Sequence, residues 1–339
     1  MSIELTAEDL ARAEACIPVT KPRKAGITPG KIVFWGWHYP KMVLREGLGL
    51  HLASWRGKSK MDRAVHGLSA PDVVQKDLPP LDVRMLTGHR HAALTSVALY
   101  SLARTSGREL APVLHDDGSL QAADRELFRR LFPSVRLVAP EESVAALDER
   151  LPTAKYPFLR KIRLAYIHLR KLTDLHIYEP GWKTVMDADV FFFRRPEQLL
   201  RCIDERRPCH MIDCQTSYGC PASTLEELAG RPVHPKVNVG LLHLASGSLD
   251  WAELEHASRT LLARHGFSYY LEQALLAFVM GKAGAEPLDA DDYLVHPSKA
   301  QAAKPGQVAH HYVDRSSMLL FSTGWKSALN SNEQGSARG

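Results

Sequence analysis

Segments with strand-like and helix-like patterns of hydrophobic residues alternate along the chain from Leu81 onwards. Short apolar runs bounded by turn residues are typical of buried strands, whereas apolar residues three and four apart are typical of helices. Strands that alternate with helices predict βαβ units, so we expect an α/β protein with a mostly parallel sheet flanked by helices. The predicted elements up to residue 186 are the strands VRML, APVLH, VRLV and TVM and the helices HAALTSVALYSLAR, DRELFRRLF and FLRKIRLAYIHLRKL.

The last of these helices is predicted as one long element, because Ile162, Ala165, Tyr166 and Leu169 form a single apolar stripe. Further elements follow residue 186, although their spacing is less regular. They are the strands CHMID, VGLLHL and VAHHYV, a helix over Asp250–Arg264 capped by Ser248, and a helix over Tyr269–Met280.

Three segments fall outside this pattern. Residues 1–80 are rich in Pro, Lys, Arg and Gly, which predicts an irregular N-terminal extension to a main domain over residues 81–326. Residues 215–235 form a polar segment between two predicted strands, which predicts a loop or lid bordering a site. Residues 327–339 are polar and predict a disordered tail.

Two aspartates, Asp187 and Asp189, stand between apolar runs in the segment TVMDADVFFF. A strand ends just before them, so both carboxylates are expected at the carboxyl edge of the sheet, where α/β proteins bind ligands. Charged aspartates are seldom buried without a partner, and Mg²⁺ and Mn²⁺ prefer carboxylate oxygens and often join a protein to a diphosphate. The segment therefore predicts a metal–diphosphate site, with an exposed loop as the plainer alternative.

Composition and charge limit the kinds of ligand that the protein is expected to bind. The chain has 339 residues, of which 45% are hydrophobic and 24% are charged, and its net charge is +5. This small positive charge suits an anionic small molecule and is too weak to indicate nucleic acid. No apolar run is long enough for a transmembrane segment, and the N-terminus lacks the pattern of a secretory signal. Five cysteines, none of them in a Cys-x-x-Cys spacing, fit a cytoplasmic location better than a disulfide framework or a zinc site.

Two turns at the same edge of the predicted sheet are candidates for nucleotide contacts. Thr87 and Gly88 lie between a strand and a helix whose N-terminus can face phosphate or ribose. Asp116, in the HDDG turn, follows the next strand and can either contact a nucleotide or only form a tight turn.

The order of these motifs resembles that of GT-A glycosyltransferases, closest to the branch around family 8. The resemblance covers roughly residues 81–326 and consists of strand–helix–strand–DDG, a basic helix, hydrophobic-D-x-D-hydrophobic-F, NVGLLHL, LEQALL and HHYV…GWK. It implies a Rossmann-like GT-A fold and a transferase that moves a sugar from a nucleotide-sugar donor, most commonly a UDP-sugar, to an acceptor of unknown kind. It also implies dependence on Mn²⁺ or Mg²⁺.

The resemblance assigns the metal ligands. Asp187 and Asp189 match the DxD pair that holds the ion and the donor diphosphate. His311 matches the late histidine that completes the site. His310 is the alternative, since only one of two neighbours on a strand can face the site.

The resemblance also assigns catalytic and donor-binding residues. Asn238 matches the asparagine of an N-x-G segment whose Gly240 allows close approach of the donor sugar. Glu272 and Gln273 match an acidic-plus-amide pair lining the sugar and acceptor pocket. Glu272 can act as a base in an inverting reaction, and Gln273 can stabilise charge in a retaining one, which the resemblance slightly favours.

Basic residues are expected to reach the diphosphate. Lys326, after Gly-Trp, resembles a terminal lysine that clamps it. Arg160, Lys161 and Arg163 lie where relatives carry a basic residue with this role.

Other functions fit parts of the pattern. The DADV segment also fits a HAD-type phosphatase with Asp187 as nucleophile, although that motif usually opens its domain. A sugar-nucleotide nucleotidyltransferase is a second alternative, but it normally carries a glycine-rich basic loop after its first strand. A non-catalytic carbohydrate-binding protein is a third, and the intact acidic pair disfavours it.

Overall fold

The computed structural model describes residues 4–19, 37, 40, 41 and 43–330. The strands in these residues are β1 Leu81–Thr87, β2 Leu110–Asp116, β3 Arg136–Val138, β4 Trp182–Met186, β5 Val190–Phe192, β6 Cys209–Ile212, β7 Val237–Ala245, β8 Glu286–Pro287, β9 Tyr293–Val295 and β10 Ala309–His311. The α-helices are α1 Ala7–Cys16, α2 Leu48–His66, α3 Ala92–Ser106, α4 Ala122–Leu131, α5 Pro140–Arg150, α6 Pro157–Ala165, α7 Arg170–Thr173, α8 Glu197–Asp204, α9 Ala222–Ala229, α10 Trp251–His265, α11 Leu271–Ala283, α12 Lys299–Ala303, α13 Ser317–Leu319 and α14 Trp325–Asn330.

Seven strands form one sheet in the order β3-β2-β1-β4-β7-β6-β8. Only β7 runs antiparallel to its neighbours β4 and β6, so the sheet is mostly parallel. Helices cover both faces and bury two hydrophobic clusters against it. The predicted α/β class and mostly parallel sheet are confirmed.

A second, three-stranded sheet has the order β5-β10-β9. Strand β5 begins one residue after Asp189, so the chain passes from the large sheet into the small one through the two aspartates. Strand β10 pairs antiparallel with β5, and His311 lies opposite Val190. This register places His311 next to the two aspartates, although it is far from them in sequence.

The predicted helix over FLRKIRLAYIHLRKL is broken, and the prediction of one long element was wrong. Helix α6 ends at Ala165 because Tyr166 has extended backbone angles, with φ −134° and ψ 99°. A 3₁₀ turn over Ile167–Leu169 and the short helix α7 follow. The break changes the direction of the chain, so the side chains of α7 contact different parts of the protein from those of α6.

Two smaller expectations also differ from the structure. The cap of α10 is Asp250, whose side chain accepts hydrogen bonds from the backbone of Ala252 and Glu253, and not Ser248. The polar segment 215–235 is not all loop, since it contains helix α9. Its glycines and prolines bound that helix: Pro221 is its N-cap residue and Gly230, with a φ of 66°, ends it.

The described part of the N-terminal extension contains two helices that lie on the main domain. Helix α1 packs against α10, and α2 packs against α3 and the helical segment 317–324. The predicted tail begins inside α14, and its residues 331–339 lie outside the described residues. Among the described residues no helix is long and apolar enough to cross a membrane.

Candidate metal and donor site

Asp187 and Asp189 are positioned by backbone hydrogen bonds where the two sheets meet. The backbone N–H of Asp187 donates to the carbonyl of Gly240 on the neighbouring strand β7, with a distance of 2.8 Å. The carbonyl of Asp189 accepts from the N–H of Tyr312, just beyond β10, at 3.0 Å. The side chains of Asp187 and Asp189 remain 24% and 33% exposed, so both carboxylates can reach a ligand.

His311 completes a cluster with these aspartates. Its Nε2 lies 3.2 Å from Oδ1 of Asp189 and 3.9 Å from Oδ2 of Asp187. One ligand atom from each of the three residues lies within 4.8 Å of the others. His310 points away, because neighbouring residues of a strand alternate in direction, and its ring contacts Gln307, Tyr312 and Phe193.

Asn238 and Gly240 on β7 fix the ring of His311. Nδ1 of His311 lies 2.9 Å from Oδ1 of Asn238, and this amide oxygen also accepts from the N–H of Gly240. An oxygen partner favours a proton on Nδ1, so Nε2, beside the two aspartates, is the nitrogen that can bind an ion once its own proton is lost. A Cβ on Gly240 would lie 2.3 Å from Cε1 of His311, so this glycine makes room for the imidazole.

A buried lysine that the sequence analysis did not single out lies in the same cluster. Nζ of Lys171, on α7, donates to Oδ2 of Asp187 at 2.9 Å and lies 3.6 Å from Oε1 of Glu272. Burial opposes its charge, but the carboxylates of Asp187 and Glu272 outweigh burial and raise the pKa of Lys171. In the sequence, Lys171 is one of two adjacent basic residues in the run HLRKL, and this pattern also fits a helix face exposed to solvent, so the break after α6 must be known before its role can be recognised.

The pKa values of Asp189 and His311 shift in opposite directions. Burial works against both charges, but the neighbouring imidazolium holds the pKa of Asp189 below its ordinary value. The carboxylate of Asp189 in turn outweighs burial and raises the pKa of His311. The carboxylate of Asp189 therefore favours the protonated form of His311, and metal binding at Nε2 would require loss of the proton there.

Glu272 and Gln273 stand at the N-terminal end of α11, and both are buried. Among the described residues, Oε1 of Glu272 has no hydrogen-bond partner. Burial raises the pKa of Glu272 to about 7, although Lys171 opposes the shift. Nε2 of Gln273 donates to Oδ2 of Asp213 at 3.0 Å, and Nδ2 of Asn238 donates to the same oxygen at 3.2 Å. Asp213 therefore links Gln273 to the histidine–asparagine pair.

These residues line a cavity of about 280 Å³. Its rim is aromatic and includes Tyr166, His168, Tyr269 and Tyr270. The rings of His168 and Tyr269 lie 5.4 Å apart, and the hydroxyl of Tyr166 donates to the carbonyl of Tyr269. Residues 214, 215 and 217 also line the cavity, so the first part of the predicted lid borders the site.

Thr87, Gly88 and Asp116 lie at the ends of β1 and β2, on the same sheet edge as Asp187. Thr87 is buried, and its hydroxyl is 2.8 Å from that of Thr95. Both carboxylate oxygens of Asp116 have partners, since Oδ1 accepts from three backbone N–H groups of its turn and Oδ2 accepts from Arg125. Thr87 and Asp116 therefore shape this edge, and neither lines the cavity.

The basic residues expected at the diphosphate are not brought to the cavity. The Nζ of Lys161 contacts Glu14 of α1, and Arg160 pairs with Asp148. Arg163 is buried in a two-bond pair with Asp174.

Lys326 also lies away from the cavity. It is exposed on α14, with its Nζ above the ring of Trp325. The cation that the structure places beside Asp187 is Lys171.

Comparisons with known proteins give matches at the level of structure. The sequence matches no protein-family model and no curated protein. Mouse xyloside xylosyltransferase 1, in apo form, aligns over 69% of this chain and 98% of its own, with 13% identity and a TM-score of 0.47. The galactosyltransferase LgtC, in complex with donor and acceptor sugar analogs, aligns over 74% of this chain and 96% of its own, with 15% identity and a TM-score of 0.49.

A third similar structure is core-mannan synthase A from Aspergillus fumigatus in its Mn/GDP form. It aligns over 66% of this chain and 76% of its own, with 11% identity and a TM-score of 0.43. All three are glycosyltransferase structures, the class that the sequence analysis named. At these identities the similarity concerns the fold alone, and the chemistry of this site follows from its own residues.

Proposed function

We propose that this chain is a metal-dependent glycosyltransferase that moves a sugar from a nucleoside-diphosphate sugar to an acceptor. The observation that carries the proposal is the convergence of Asp187, Asp189 and His311 beside a cavity lined by Lys171 and Glu272. A phosphate chain and a sugar need a cation site next to a polar pocket, and this edge of the sheet offers both.

The residues of the cluster fit a hard divalent ion. Asp187, Asp189 and the Nε2 of His311 would hold Mn²⁺ or Mg²⁺, since two carboxylates and one imidazole suit such ions. When bound, the ion would neutralise the charge that develops on a leaving diphosphate. Asn238 supports this fit because its contact with Nδ1 orients the ring of His311 so that Nε2 lies on the same side as the two carboxylates.

Lys171 supplies a second positive charge at the site. In the described structure it pairs with Asp187 and approaches Glu272. A diphosphate that binds beside Asp187 would meet this ammonium, which is held in place by burial and needs no reorientation. Preorganised charge of this kind favours a transition state in which negative charge builds on the leaving group.

Glu272 is the candidate general acid or base. Its pKa of about 7 places it between the charged and neutral forms near neutrality, where a general acid or base works best. Gln273 can offer an amide dipole to a reacting sugar. A retaining outcome and a UDP-sugar donor are parts of the proposal that rest on the resemblance to the family 8 branch.

The aromatic rim suits the acceptor or the donor base. Tyr269 is 65% exposed and Tyr270 is 38% exposed, and both line the cavity. Flat rings stack on sugar faces and on nucleotide bases, so these tyrosines are proposed to hold one of the two substrates. The five free cysteines are consistent with the proposed cytoplasmic location.

A thermal-shift screen tests the proposal. UDP-, GDP-, CDP- and dTDP-sugars are added with and without Mn²⁺ to the full chain and to an Asp187→Asn, Asp189→Asn variant. We expect one nucleotide class to raise the unfolding temperature only with Mn²⁺ and only in the wild type, because ligand binding stabilises the folded state. Release of phosphate from simple phosphoesters would favour the phosphatase alternative, and formation of a sugar nucleotide from a nucleoside triphosphate would favour the nucleotidyltransferase.

A further inference from the structure

Helix α2 carries a stripe of exposed apolar side chains that no element of the described fold covers. Leu48, Leu52 and Trp55 are 60%, 43% and 71% exposed. Their spacing of four and three residues places them on one face of the helix. Leu44, in the helical turn over residues 43–46, is 86% exposed.

The opposite face of α2 is fixed to the body of the protein. Met61 and Val65 belong to the hydrophobic core beside α3. A Cβ on Gly57 would lie 1.8 Å from the carbonyl oxygen of Phe321, so the helix touches the C-terminal helical segment through this glycine. The helix is therefore held on the protein by one face, and the apolar stripe lies on the opposite, outward face.

Positive charge exceeds negative charge on this helix and on the described residues just before it. Residues 37, 40, 41 and 43–63 contain six Lys and Arg against two Asp and Glu, a net charge of +4, whereas the whole chain carries +5. The rest of the sequence thus carries only +1. Basic residues that are exposed within this segment are Lys41, Arg45, Arg56, Lys58, Lys60 and Arg63.

We propose that the outer face of α2 is a docking surface for an anionic lipid bilayer. Leucine and tryptophan side chains on a basic helix suit the boundary between head groups and acyl chains, where tryptophan is favoured and apolar side chains leave water. Lysine and arginine side chains near the surface are attracted by the negative potential of an anionic bilayer. A polyanion without an apolar layer would match the basic residues and leave Leu48, Leu52 and Trp55 in water.

The surface lies on a different part of the chain from the metal cluster, and the proposal does not depend on the proposed function. It predicts a protein that lies on a membrane surface. An enzyme held in this way would meet acceptors anchored in the same bilayer.

Vesicle sedimentation of the full chain tests the proposal. Vesicles of phosphatidylcholine alone are compared with vesicles of phosphatidylcholine mixed with phosphatidylglycerol. We expect binding to the anionic vesicles that is at least about tenfold tighter, and weaker binding as salt rises because salt screens the attraction. A variant with Leu48→Glu and Trp55→Glu should lose this binding.

Leu164→Glu is the matched control, since Leu164 is 62% exposed on α6 and carries the same change away from the stripe. It should bind like the wild type. A second variant, Arg56→Glu with Lys60→Glu, should weaken binding to anionic vesicles and keep the melting temperature, because both residues are exposed.

Three results would overturn the proposal. The first is failure of the wild type to bind anionic vesicles, or equal binding to both vesicle types. The second is equal binding by the Leu48→Glu, Trp55→Glu variant and the Leu164→Glu control. The third is a wild-type dimer that this variant dissociates without any vesicle binding, since the stripe would then be a contact between two copies of the chain.

Discussion

At the residue scale, the charges of the candidate site are already paired without a bound ion. Asp187 pairs with Lys171, and Asp189 pairs with His311. Two neighbouring carboxylates without such partners would repel each other and weaken the fold. With these partners in place, replacing Asp189 by Asn removes the carboxylate that raises the pKa of buried His311 and should not stabilise the protein.

His311 and His310 give a paired test of the metal ligand. His311→Ala should lower the affinity for Mn²⁺ in the presence of UDP by at least about tenfold, as measured by calorimetry, because it removes one of three ligands. His310→Ala should leave this affinity unchanged and lower the melting temperature, since its ring packs on Phe193 and contacts Tyr312. The reverse pattern would move the ligand to His310.

Gly240 tests whether the position of the His311 ring matters. In Gly240→Ala the new methyl group would lie 2.3 Å from the ring, so the imidazole must shift and Mn²⁺ affinity should fall. Gly181→Ala is the control, because a Cβ at Gly181 meets no atom within 4 Å. If both variants bind Mn²⁺ like the wild type, the ring does not need its present position.

Glu272 is expected to make stability depend on pH. Its pKa is 4.5 when free and about 7 in the fold, where burial opposes its charge. From about pH 5 to about pH 7 the unfolded chain gives up this proton while the folded chain keeps it, so stability falls as pH rises through this window. Glu272→Gln should remove that fall in denaturant-unfolding experiments. Exposed Glu197 supplies the control as Glu197→Gln, and an identical pH profile for wild type and Glu272→Gln would refute the assignment.

At the scale of elements, the sequence predicts those parts whose pattern is set locally. Strands β1, β2, β4 and β7 are rich in apolar residues and were predicted close to their observed positions. The break after Ala165 was not predicted, because the apolar stripe continues through Tyr166 and Leu169 and only tertiary packing selects the extended backbone there. Lys171 depends on that break, so its place beside Asp187 was missed with it.

The segment after β6 is expected to respond to the donor in only one of its parts. Ser217 and the two residues after Asp213 line the cavity, whereas α9 lies beyond it and packs on α11. Hydrogen exchange should slow over residues 214–219 when UDP and Mn²⁺ are added, because donor binding orders the chain that borders it. Exchange within α9 should not change. Unchanged exchange over both parts at saturating UDP would show that this segment has no role in donor binding.

At the scale of the whole molecule, the site exists because two sheets meet at one edge. Asp187 and Asn238 lie on the large sheet or directly at its edge. His311 lies on β10 of the small sheet, which pairs with β5. The sequence indicates that Asp187 and Asp189 lie at a sheet edge, but the pairing of β5 with β10 joins residues more than a hundred positions apart. Only the resemblance to a family supplied that partner from the sequence, and in the structure a ring nitrogen of His311 lies within 4.8 Å of carboxylate oxygens of Asp187 and Asp189.

Metal-dependent turnover of a nucleotide sugar is the most direct test of the central claim. The wild type and the Asp187→Asn, Asp189→Asn variant are each incubated with the nucleotide sugar found in the thermal-shift screen, with Mn²⁺ or with a chelator, and the released nucleoside diphosphate is measured. We predict release by the wild type with Mn²⁺, loss of release with the chelator, and no release by the variant despite a circular dichroism spectrum like that of the wild type. Release by the variant at the wild-type rate, or release that the chelator does not affect, would contradict the account.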